Sequence, residues 1–382
     1  MRIARVETFV LSNRRALVRI ESDTGVVGWG EPVLENWAYT TVAAVERMGE
    51  HLLGRDPRRI TQLWQVLSRG GFYRGGPVLG SAVAGIDQAL WDLTARALDV
   101  PVHELLGGAC REEVRVYAHA NAGPGRTGDP ALAARLVAEG LTMLKVAPDG
   151  PVGFLDSAAT IERLVTDLGE LRAAVGPHVD LALDLHGRLS VPMSRRVLPL
   201  LEPLLLSFVE EPLRPEHSAL VGELVRCSSV PIALGERLYS RAEFRPVLEA
   251  GVAVVQPDPS HAGGISEVVR IAAQAEVYDA QLAPHCPLGP VSLAACLQVD
   301  LAVPNVLAQE QTLAWHDADS PDLAILVDPE VLRPVGGVVP RLTGPGLGIE
   351  VDEAAVRELA TAGPLGPGSP VWQHKDGSFA EW

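Results

Sequence analysis

The sequence predicts an α/β fold, a (β/α)8 barrel of the modified TIM type with an N-terminal α+β domain that caps it. The main observation is a repeat between Leu181 and Glu310, in which six apolar runs each lead to one acidic residue or histidine. These polar residues follow one another at intervals of 22 to 27 residues. A short strand and its return helix take about that length, because parallel strands need a crossover of about a dozen residues or more. The 382-residue chain also exceeds the roughly 250 residues of a barrel, which leaves room for a further domain.

The N-terminal part, which we place at residues 1–111, changes from strand-like to helix-like periodicity. Apolar residues alternate with polar ones between Ile3 and Val10, and two more short strands are predicted before residue 36, with a turn signal at 22–25 between them. From about residue 38 to 100, apolar residues recur every three or four positions in three successive stretches, as on one face of a helix. Three strands followed by three helices indicate a small α+β unit.

The barrel, which we place at residues 112–325, begins with two strands upstream of the repeat. They are predicted at Val114–His119 and Thr142–Val146, and with the six strands of the repeat they make the eight that close such a barrel. The remaining residues, 326–382, are rich in glycine and proline and carry little of the repeat. We expect this segment to return to the N-terminal unit and complete the capping domain.

The composition argues against several classes of protein. With 47% hydrophobic and 21% charged residues the chain is typical of a globular protein, and no apolar run reaches the roughly 20 residues that cross a bilayer. The net charge of −16 argues against nucleic acid or an anionic membrane as a partner. The four cysteines form no C-x-x-C pair, which disfavours a zinc site or a disulfide framework. The N-terminus lacks the apolar stretch of a signal peptide, so we expect a cytoplasmic protein.

Three carboxylates, those of Asp184, Glu210 and Glu236, end three consecutive strands of the repeat. In a parallel barrel the strands end on one face, and this is the face where catalysis takes place. Three converging carboxylates would repel one another, and a hard divalent cation that prefers oxygen ligands removes this conflict. We therefore predict one Mg²⁺ per subunit at these residues. The alternative is that each carboxylate only caps the helix that follows its strand.

The next strands end in Asp258, His285 and Glu310, and His186 follows Asp184 by two residues. A carboxylate that holds one nitrogen of a histidine raises the basicity of the other, so Asp258 and His285 are predicted to form a general base. His186 suits an acid on another side of the metal, and Glu310, if protonated, can donate a hydrogen bond to an enediolate. These groups suit the removal of an α-proton from a carboxylate and the loss of a β-hydroxyl. The alternative for each histidine is a structural role.

Several motifs make the chain similar to a known family over essentially its whole length. In chain order they are 25–32 (GVVGWGEP), 71–77 (GFYRGGP), 84–92 (AGIDQALWD), 183–188 (LDLHGR), 210–212 (EEP), 235–237 (GER), 256–258 (QPD), 260–264 (SHAGG), 283–290 (APHCPLGP), 309–311 (QEQ) and 380–382 (AEW). With these motifs the chain resembles the enolase superfamily, and within it the mandelate-racemase-like subgroup. The resemblance implies Mg²⁺ at the three strand-end carboxylates. It also implies His285, supported by Asp258, as the base at C2 of the substrate, His186 as the acid that expels the 3-hydroxyl, and Glu310 as the residue that stabilises the enediolate.

One departure from the family pattern bears on the reaction. Many members carry a catalytic Lys-x-Lys at the end of strand 2, where this chain has Lys145, Val146 and Ala147. The second lysine is therefore absent, which disfavours racemisation, because that reaction needs bases on both faces of the substrate. The loops at 12–16 and 119–128 also depart from the pattern of members that act on galactonate.

The expected reaction is the Mg²⁺-dependent dehydration of an aldonate to a 2-keto-3-deoxy acid, with D-galactonate as the first candidate. A second reading is dehydration or epimerisation of a different sugar acid, and a third is a barrel that binds a sugar acid or a partner protein without turnover. The absent lysine and the intact Asp258–His285 pair favour dehydration over epimerisation. The expected partner is a small sugar acid, and we expect a homo-oligomer because members of the family commonly assemble.

Overall fold

The first three strands form an antiparallel sheet on which the first helices pack. The computed structural model describes residues 1–12, 15–123, 125–313, 320, 322–360 and 371–381. The N-terminal elements are β1 (Ile3–Val10), β2 (Ala16–Ser22), β3 (Val27–Gly30), α1 (Ala38–Gly49), α2 (Ile60–Arg69), α3 (Gly76–Ala97) and α4 (Val102–Leu105). The predicted apolar faces of the helices are buried against the sheet: Val45 of α1, Leu63 of α2 and Leu90 of α3 share one core with Ile20 of β2.

Eight parallel strands follow, each at the predicted place in the chain. They are β4 (Glu113–His119), β5 (Met143–Val146), β6 (Asp180–Asp184), β7 (Phe208–Glu210), β8 (Ile232–Leu234), β9 (Val254–Val255), β10 (Gln281–Leu282) and β11 (Gln309–Glu310). The sheet runs from β10 through β9 down to β4 and then to β11. A parallel bridge between Leu282 and Val306, just before β11, closes the ring.

Helices connect these strands and cover the outside of the barrel. They are α5 (Pro130–Ala138), α6 (Ala158–Val175), α7 (Val191–Leu201), α8 (Val221–Cys227), α9 (Arg241–Glu249), α10 (Ile265–Glu276) and α11 (Pro290–Ala302). Short 3-10 turns occur at Glu202–Leu204, Pro215–Leu220, Leu323–Ile325 and Pro329–Leu332. The predicted fold class, a modified TIM barrel with an N-terminal α+β cap, is confirmed. None of the helices that the structure describes has the length and apolar character needed to cross a bilayer.

One buried side chain from each strand, or from the residue just before or after it, fills the middle of the barrel. This interior layer consists of Tyr117, Met143, Ala182, Phe208, Ala233, Val254, Ala283 and Ala308. The mixture of large and small side chains fits the taper of a small barrel, whose interior is a packed core and not a pore. The layer is therefore the floor on which any site at the carboxyl ends of the strands must rest.

The C-terminal segment contacts both parts of the molecule. Its elements are β12 (Val338–Pro340), α12 (Glu353–Leu359), β13 (Trp372–Gln373) and β14 (Phe379–Ala380). The backbone N–H of Ser12 donates to Leu359 at 3.0 Å, and Arg19 pairs with Glu353 at 3.0 Å, so the segment completes the capping domain as predicted. In addition, β12 pairs antiparallel with β4 of the barrel, which the sequence did not predict. The domain boundaries at 111 and 325 stay a prediction.

Candidate active site

Most polar side chains of the site belong to residues that follow a residue of the interior layer by two positions in the sequence. Side chains two positions apart in a strand point to the same face, so a polar residue there lies directly above the apolar floor. Six strands follow this rule, and the side chains they contribute are His119, Lys145, Asp184, Glu210, His285 and Glu310. The period of the strands thus brings together four of the predicted residues and two others, His119 and Lys145.

Glu236 reaches the site by a different route, because β8 is followed by Gly235 and not by a side chain. Gly235 has φ of 141°, and a Cβ there would lie 2.6 Å from the Phe244 ring and 2.9 Å from the Gln256 backbone nitrogen. Only glycine fits this position without strain. The chain then turns so that Glu236 Oε2 lies 3.5 Å from His285 Nε2.

Lys145 lies in the middle of the acidic cluster. Its ammonium is 2.7 Å from Glu310, 2.9 Å from Glu210 and 3.5 Å from Asp184, and its side chain is almost fully buried. Burial lowers the pKa of Lys145, but Glu210, Glu310 and Asp184 raise it by more, so that the pKa ends well above its usual range. Lys145 is therefore a fixed positive charge and not a free base, in line with the absence of a lysine base from the predicted mechanism.

The donor set at the three predicted ligands suits a hard cation. All three are carboxylates at the ends of consecutive strands, and Asp184 and Glu210 are buried. Burial, and next the negative charge of Asp184, raise the pKa of Glu210 to about 8 even beside the single ammonium of Lys145. A further cation among these carboxyl groups would favour the ionised form of Glu210. Carboxylate oxygens are the donors that Mg²⁺ prefers.

A tighter group of possible ligands lies beside this set. Among the described residues, three histidine and carboxylate ligand atoms within 4.8 Å of one another occur at Asp258, His261 and His285. The predicted set Asp184, Glu210 and Glu236 does not meet that spacing. Its assignment as the metal site stays a prediction.

Asp258 and His285 form the predicted pair. His285 Nδ1 lies 2.8 Å from Asp258 Oδ2, and the backbone N–H of Ser260 donates to Asp258 Oδ1 at 2.6 Å. Burial lowers the pKa of His285, but the hydrogen bond with Asp258 and the charges of Glu236 and Glu310 outweigh it and hold the pKa well above its usual range. With Nδ1 fixed by Asp258, Nε2 is the nitrogen that faces the carboxylate cluster.

His186 adopts an unusual backbone conformation, with φ of 53°. Its backbone N–H donates to Asp184 Oδ1 at 2.9 Å, and its Nδ1 lies 3.1 Å from Asp184 Oδ2. The charge of Asp184 raises the pKa of His186 despite burial, which favours the protonated form. Left-handed conformations of residues other than glycine are costly and concentrate at functional sites. The geometry is thus compatible with the predicted acid.

Glu310 differs from its expected role as a hydrogen-bond donor. Its Oε1 accepts from His119 Nε2 at 2.6 Å and from Lys145 at 2.7 Å, and its Oε2 accepts from the Cys286 backbone at 2.8 Å. Burial raises the pKa of Glu310, but Lys145 and His119 lower it by more, so the pKa lies well below its usual range. An ionised carboxylate has no proton to donate. Glu310 instead orients the N–H groups of two neighbours.

Sequence reasoning missed three residues of this region, namely His119, Lys145 and His261. The first two could have been found from the alternation in β4 and β5, since each lies two residues after a buried apolar side chain. His261 carries no such signal, because it lies in the loop after β9 and is placed by tertiary contacts. Glu211, the second glutamate of the motif at 210–212, accepts a hydrogen bond from Arg237 at 2.6 Å.

The capping domain holds the two loops that carry the histidine–aspartate pair. Glu31, just after β3, accepts from the backbone N–H groups of Gly289 and Ser292 at 2.9 Å each, at the N-terminus of α11. Gln88 of α3 donates to the Pro259 carbonyl at 2.9 Å, in the loop that begins at Asp258. These bonds tie the base loops to a rigid helix and sheet outside the barrel.

Comparisons with known proteins agree with this architecture. The family model described as the mandelate racemase/muconate lactonizing enzyme N-terminal domain matches residues 4–107, and the one described as enolase C-terminal domain-like matches residues 129–355. The D-galactonate dehydratase of Ralstonia nicotianae is 47% identical over 387 aligned positions, and that of Variovorax paradoxus is 46% identical over 385. Both alignments cover all of this chain and all of the relative. The crystal structure of a mandelate racemase/muconate lactonizing enzyme from Sulfitobacter sp. has a TM-score of 0.89 at 30% identity, with full coverage of both chains.

Proposed function

The chain belongs to the mandelate racemase/muconate lactonizing enzyme family of the enolase superfamily, and on this premise we propose that it is a Mg²⁺-dependent hydro-lyase that dehydrates an aldonate. D-Galactonate is the first candidate substrate, because two relatives that match the chain over its full length bear the name D-galactonate dehydratase. The observation that carries the reaction type is that two histidines contact different carboxylates of one cluster, His186 at Asp184 and His285 at Glu236.

Asp184, Glu210 and Glu236 would hold the Mg²⁺ ion, whose donor preferences they meet. When bound, the ion supplies positive charge beside the substrate carboxylate, which makes the C2 proton more acidic. Lys145 adds a further fixed positive charge next to two of these residues. The protein thereby meets the main difficulty of the reaction, which is the weak acidity of a proton next to a carboxylate.

The charge of Glu236 contributes to the raised pKa of His285, and bound Mg²⁺ would offset that charge and favour the neutral imidazole. In the neutral form His285 takes the C2 proton through Nε2, because its Nδ1 is engaged by Asp258 at 2.8 Å. His186, whose pKa is raised by Asp184, donates a proton to the 3-hydroxyl, which leaves as water. The resulting enol loses the proton of its 2-hydroxyl, gains a proton at C3 and becomes the 2-keto-3-deoxy acid. The carboxylate of Glu310 accepts hydrogen bonds from His119 and Lys145. Both side chains belong to the same layer of strand-end residues in the barrel.

The experiment that tests this function is a screen of acid sugars with and without Mg²⁺, scored by formation of a 2-keto-3-deoxy product. We expect turnover of D-galactonate that depends on Mg²⁺ and stops when EDTA is added. Activity on another aldonate or an aldarate alone would keep the mechanism and change the substrate. There is a specific reason to include other sugar acids in the screen, because Ala147 and the loop at 119–128 depart from the pattern of members that act on galactonate. An absence of turnover across the library would contradict the proposal.

The homo-oligomer and the cytoplasmic location belong to the same proposal. They are expected from the family resemblance and from the composition of the chain. A sedimentation measurement of the purified protein tests the first of them directly.

A further inference from the structure

We propose that His261 is a positioning residue for the general base, and that it acts by fixing the carboxylate of Asp258 from a second direction, beside His285. The inference rests on the proposed function, in which His285 removes the C2 proton. His261 lies outside the strand ends, in the loop between β9 and α10, and no role has been derived for it above. It is the one member of the Asp258–His261–His285 group that does not belong to the predicted site.

His261 and His285 face the same oxygen of Asp258. His261 Nε2 lies 3.7 Å from Asp258 Oδ2, and the same oxygen is 2.8 Å from His285 Nδ1. The two imidazole rings lie 6.2 Å apart between centroids and are inclined by 35°. Asp258 is fully buried, and the side chain of His261 is about 5% exposed. One buried carboxylate oxygen thus faces two imidazoles, and the other oxygen accepts a hydrogen bond from the backbone N–H of Ser260.

The surroundings of His261 determine which of its nitrogens carries the proton. Nε2 faces two carboxylates, Asp258 at 3.7 Å and Glu35 at 3.6 Å, which can only accept when ionised. Nδ1 lies 3.0 Å from the hydroxyl of Ser81, which can donate. We therefore assign the proton to Nε2, with Ser81 as the donor to Nδ1. In this tautomer His261 directs a positive N–H dipole at the oxygen that His285 uses.

The distance of 3.7 Å from His261 to Asp258 is too long for a hydrogen bond and makes the interaction electrostatic. Such an attraction is effective here because the groups are buried and water does not screen them. It opposes rotation of the Asp258 carboxylate away from His285, which would release the imidazole of the base. Ser81 belongs to α3 of the capping domain, so the orientation of the base depends on a hydrogen bond from the other domain.

The two ends of the imidazole can be tested separately with amide side chains. In H261Q the amide nitrogen of glutamine can reach the place of Nε2 and keep a donor toward Asp258. In H261N the shorter amide reaches only the place of Nδ1, so it keeps the contact with Ser81 and loses the donor toward Asp258. S81A removes the Ser81 hydroxyl and leaves the imidazole.

We expect H261N to lower kcat by about 10- to 100-fold, the range typical of residues that orient a functional group, with KM changed less than about twofold. H261Q should keep kcat within about threefold of the wild type, and S81A should fall between the two. With substrate deuterated at C2, the isotope effect on kcat should increase in H261N, because proton removal becomes slower. A residue that only supports the loop would lower stability in all three variants without changing this isotope effect.

A crystal structure of H261N gives a readout that does not depend on turnover. We expect the distance between Asp258 Oδ2 and His285 Nδ1 to open beyond hydrogen-bond range, about 3.5 Å. An unchanged geometry in H261N overturns the proposal, and so do equal losses of kcat in H261N and H261Q. Failure of the proposed function looks different, since in that case the wild-type protein itself shows no Mg²⁺-dependent turnover.

Discussion

At the scale of single residues, the electrostatics of the site depend on Lys145. It is the only cation in direct contact with both Asp184 and Glu210 among the described residues, and it also pairs with Glu310. The sequence drew attention to this position only through the lysine that is missing two residues later. Its contacts are with residues 39 to 165 positions away in the chain, and no local pattern predicts them.

Replacing Lys145 by methionine should destabilise the metal-free protein by about 3 to 5 kcal/mol, because it leaves buried carboxylates without a partner. Mg²⁺ should raise the unfolding temperature of K145M by more than that of the wild type, since the ion neutralises the same charges. Thermal unfolding with and without Mg²⁺ measures both effects. K375M is the matched control, because Lys375 is exposed and its removal should change stability by less than about 0.5 kcal/mol. Equal effects of the two substitutions would contradict this account of Lys145.

The role of His285 as the base leads to a second prediction. Asparagine can still donate to Asp258 but has no basic nitrogen, so H285N should fold normally and lose about 10²- to 10⁴-fold in kcat. Steady-state kinetics with the substrate found in the screen measures this loss. H217N, at an exposed histidine of the turn Pro215–Leu220, is the control and should retain full activity. Wild-type rates in H285N would assign the proton transfer to another residue.

At the scale of elements, the ends of the strands position the site. The alternation within each strand sets which side chains lie above the interior layer, and the turn after the strand decides the exceptions. β8 is such an exception, because Gly235 occupies the regular position, where the Phe244 ring leaves no room for a side chain, and the carboxylate comes one residue later, from Glu236. A strand of three residues therefore delivers its carboxylate from the following turn and not from its own last residue.

Alanine at position 235 should disturb this turn. A Cβ would meet the Phe244 ring at 2.6 Å, and φ of 141° is strained for any residue with a side chain. We expect G235A to lose at least about 2 kcal/mol of stability and to bind Mg²⁺ more weakly, since Glu236 is displaced. Chemical denaturation and calorimetric titration with Mg²⁺ measure the two changes. The control is G169A inside α6, where a Cβ meets nothing within 4 Å and should stabilise the helix by about 0.5 to 1 kcal/mol.

At the scale of the whole molecule, buried polar contacts of α2 and α3 join the capping domain to the barrel. Asp87 accepts from the backbone N–H of Ser266 at 2.9 Å and from its hydroxyl at 2.7 Å, at the N-terminus of α10. Trp64 of α2 donates to the Gly263 carbonyl at 2.7 Å. Because the same surface also contacts the loops that carry the predicted base, the capping domain contributes to the order of the site and not only to its cover.

Because the carboxyl group of Asp87 is buried at this interface, the free energy of unfolding should depend on pH. Burial raises the pKa of Asp87 from 3.8 to about 7, so between these values the folded state binds the proton more tightly than the unfolded state. The stabilisation by protonated Asp87 is fully present below about pH 4. It decreases as the pH rises to about 7 and does not change further above that pH. At about 1.4 kcal/mol per unit of pKa, the loss is at most about 4 kcal/mol.

D87N removes this titration while its amide can still accept from the Ser266 N–H and donate to the hydroxyl. The stability of D87N relative to the wild type should therefore improve steadily from pH 4 to pH 7. Urea unfolding of both proteins at several pH values measures the difference. A difference that stays constant over this range would show that Asp87 is ionised throughout.

The sequence by itself determined the fold class, the order of the elements and most strand-end residues. These features follow from local physics, since the strand period of two, the helix period of 3.6 and the length of a crossover all act over a few tens of residues. The three carboxylates, the Asp258–His285 pair and His186 could be named for this reason. Their assignment to metal and proton transfer rested in addition on the family resemblance.

The tertiary structure decided which of these residues interact and with what partners. It placed Lys145 among the carboxylates, held Glu310 as an acceptor for His119, and paired His261 with Ser81, which lies 180 positions away. It also paired β12 with β4 across more than 200 residues. These outcomes depend on burial and on contacts between distant parts of the chain. Burial sets the strength of each charge interaction, and no local pattern in the sequence encodes it.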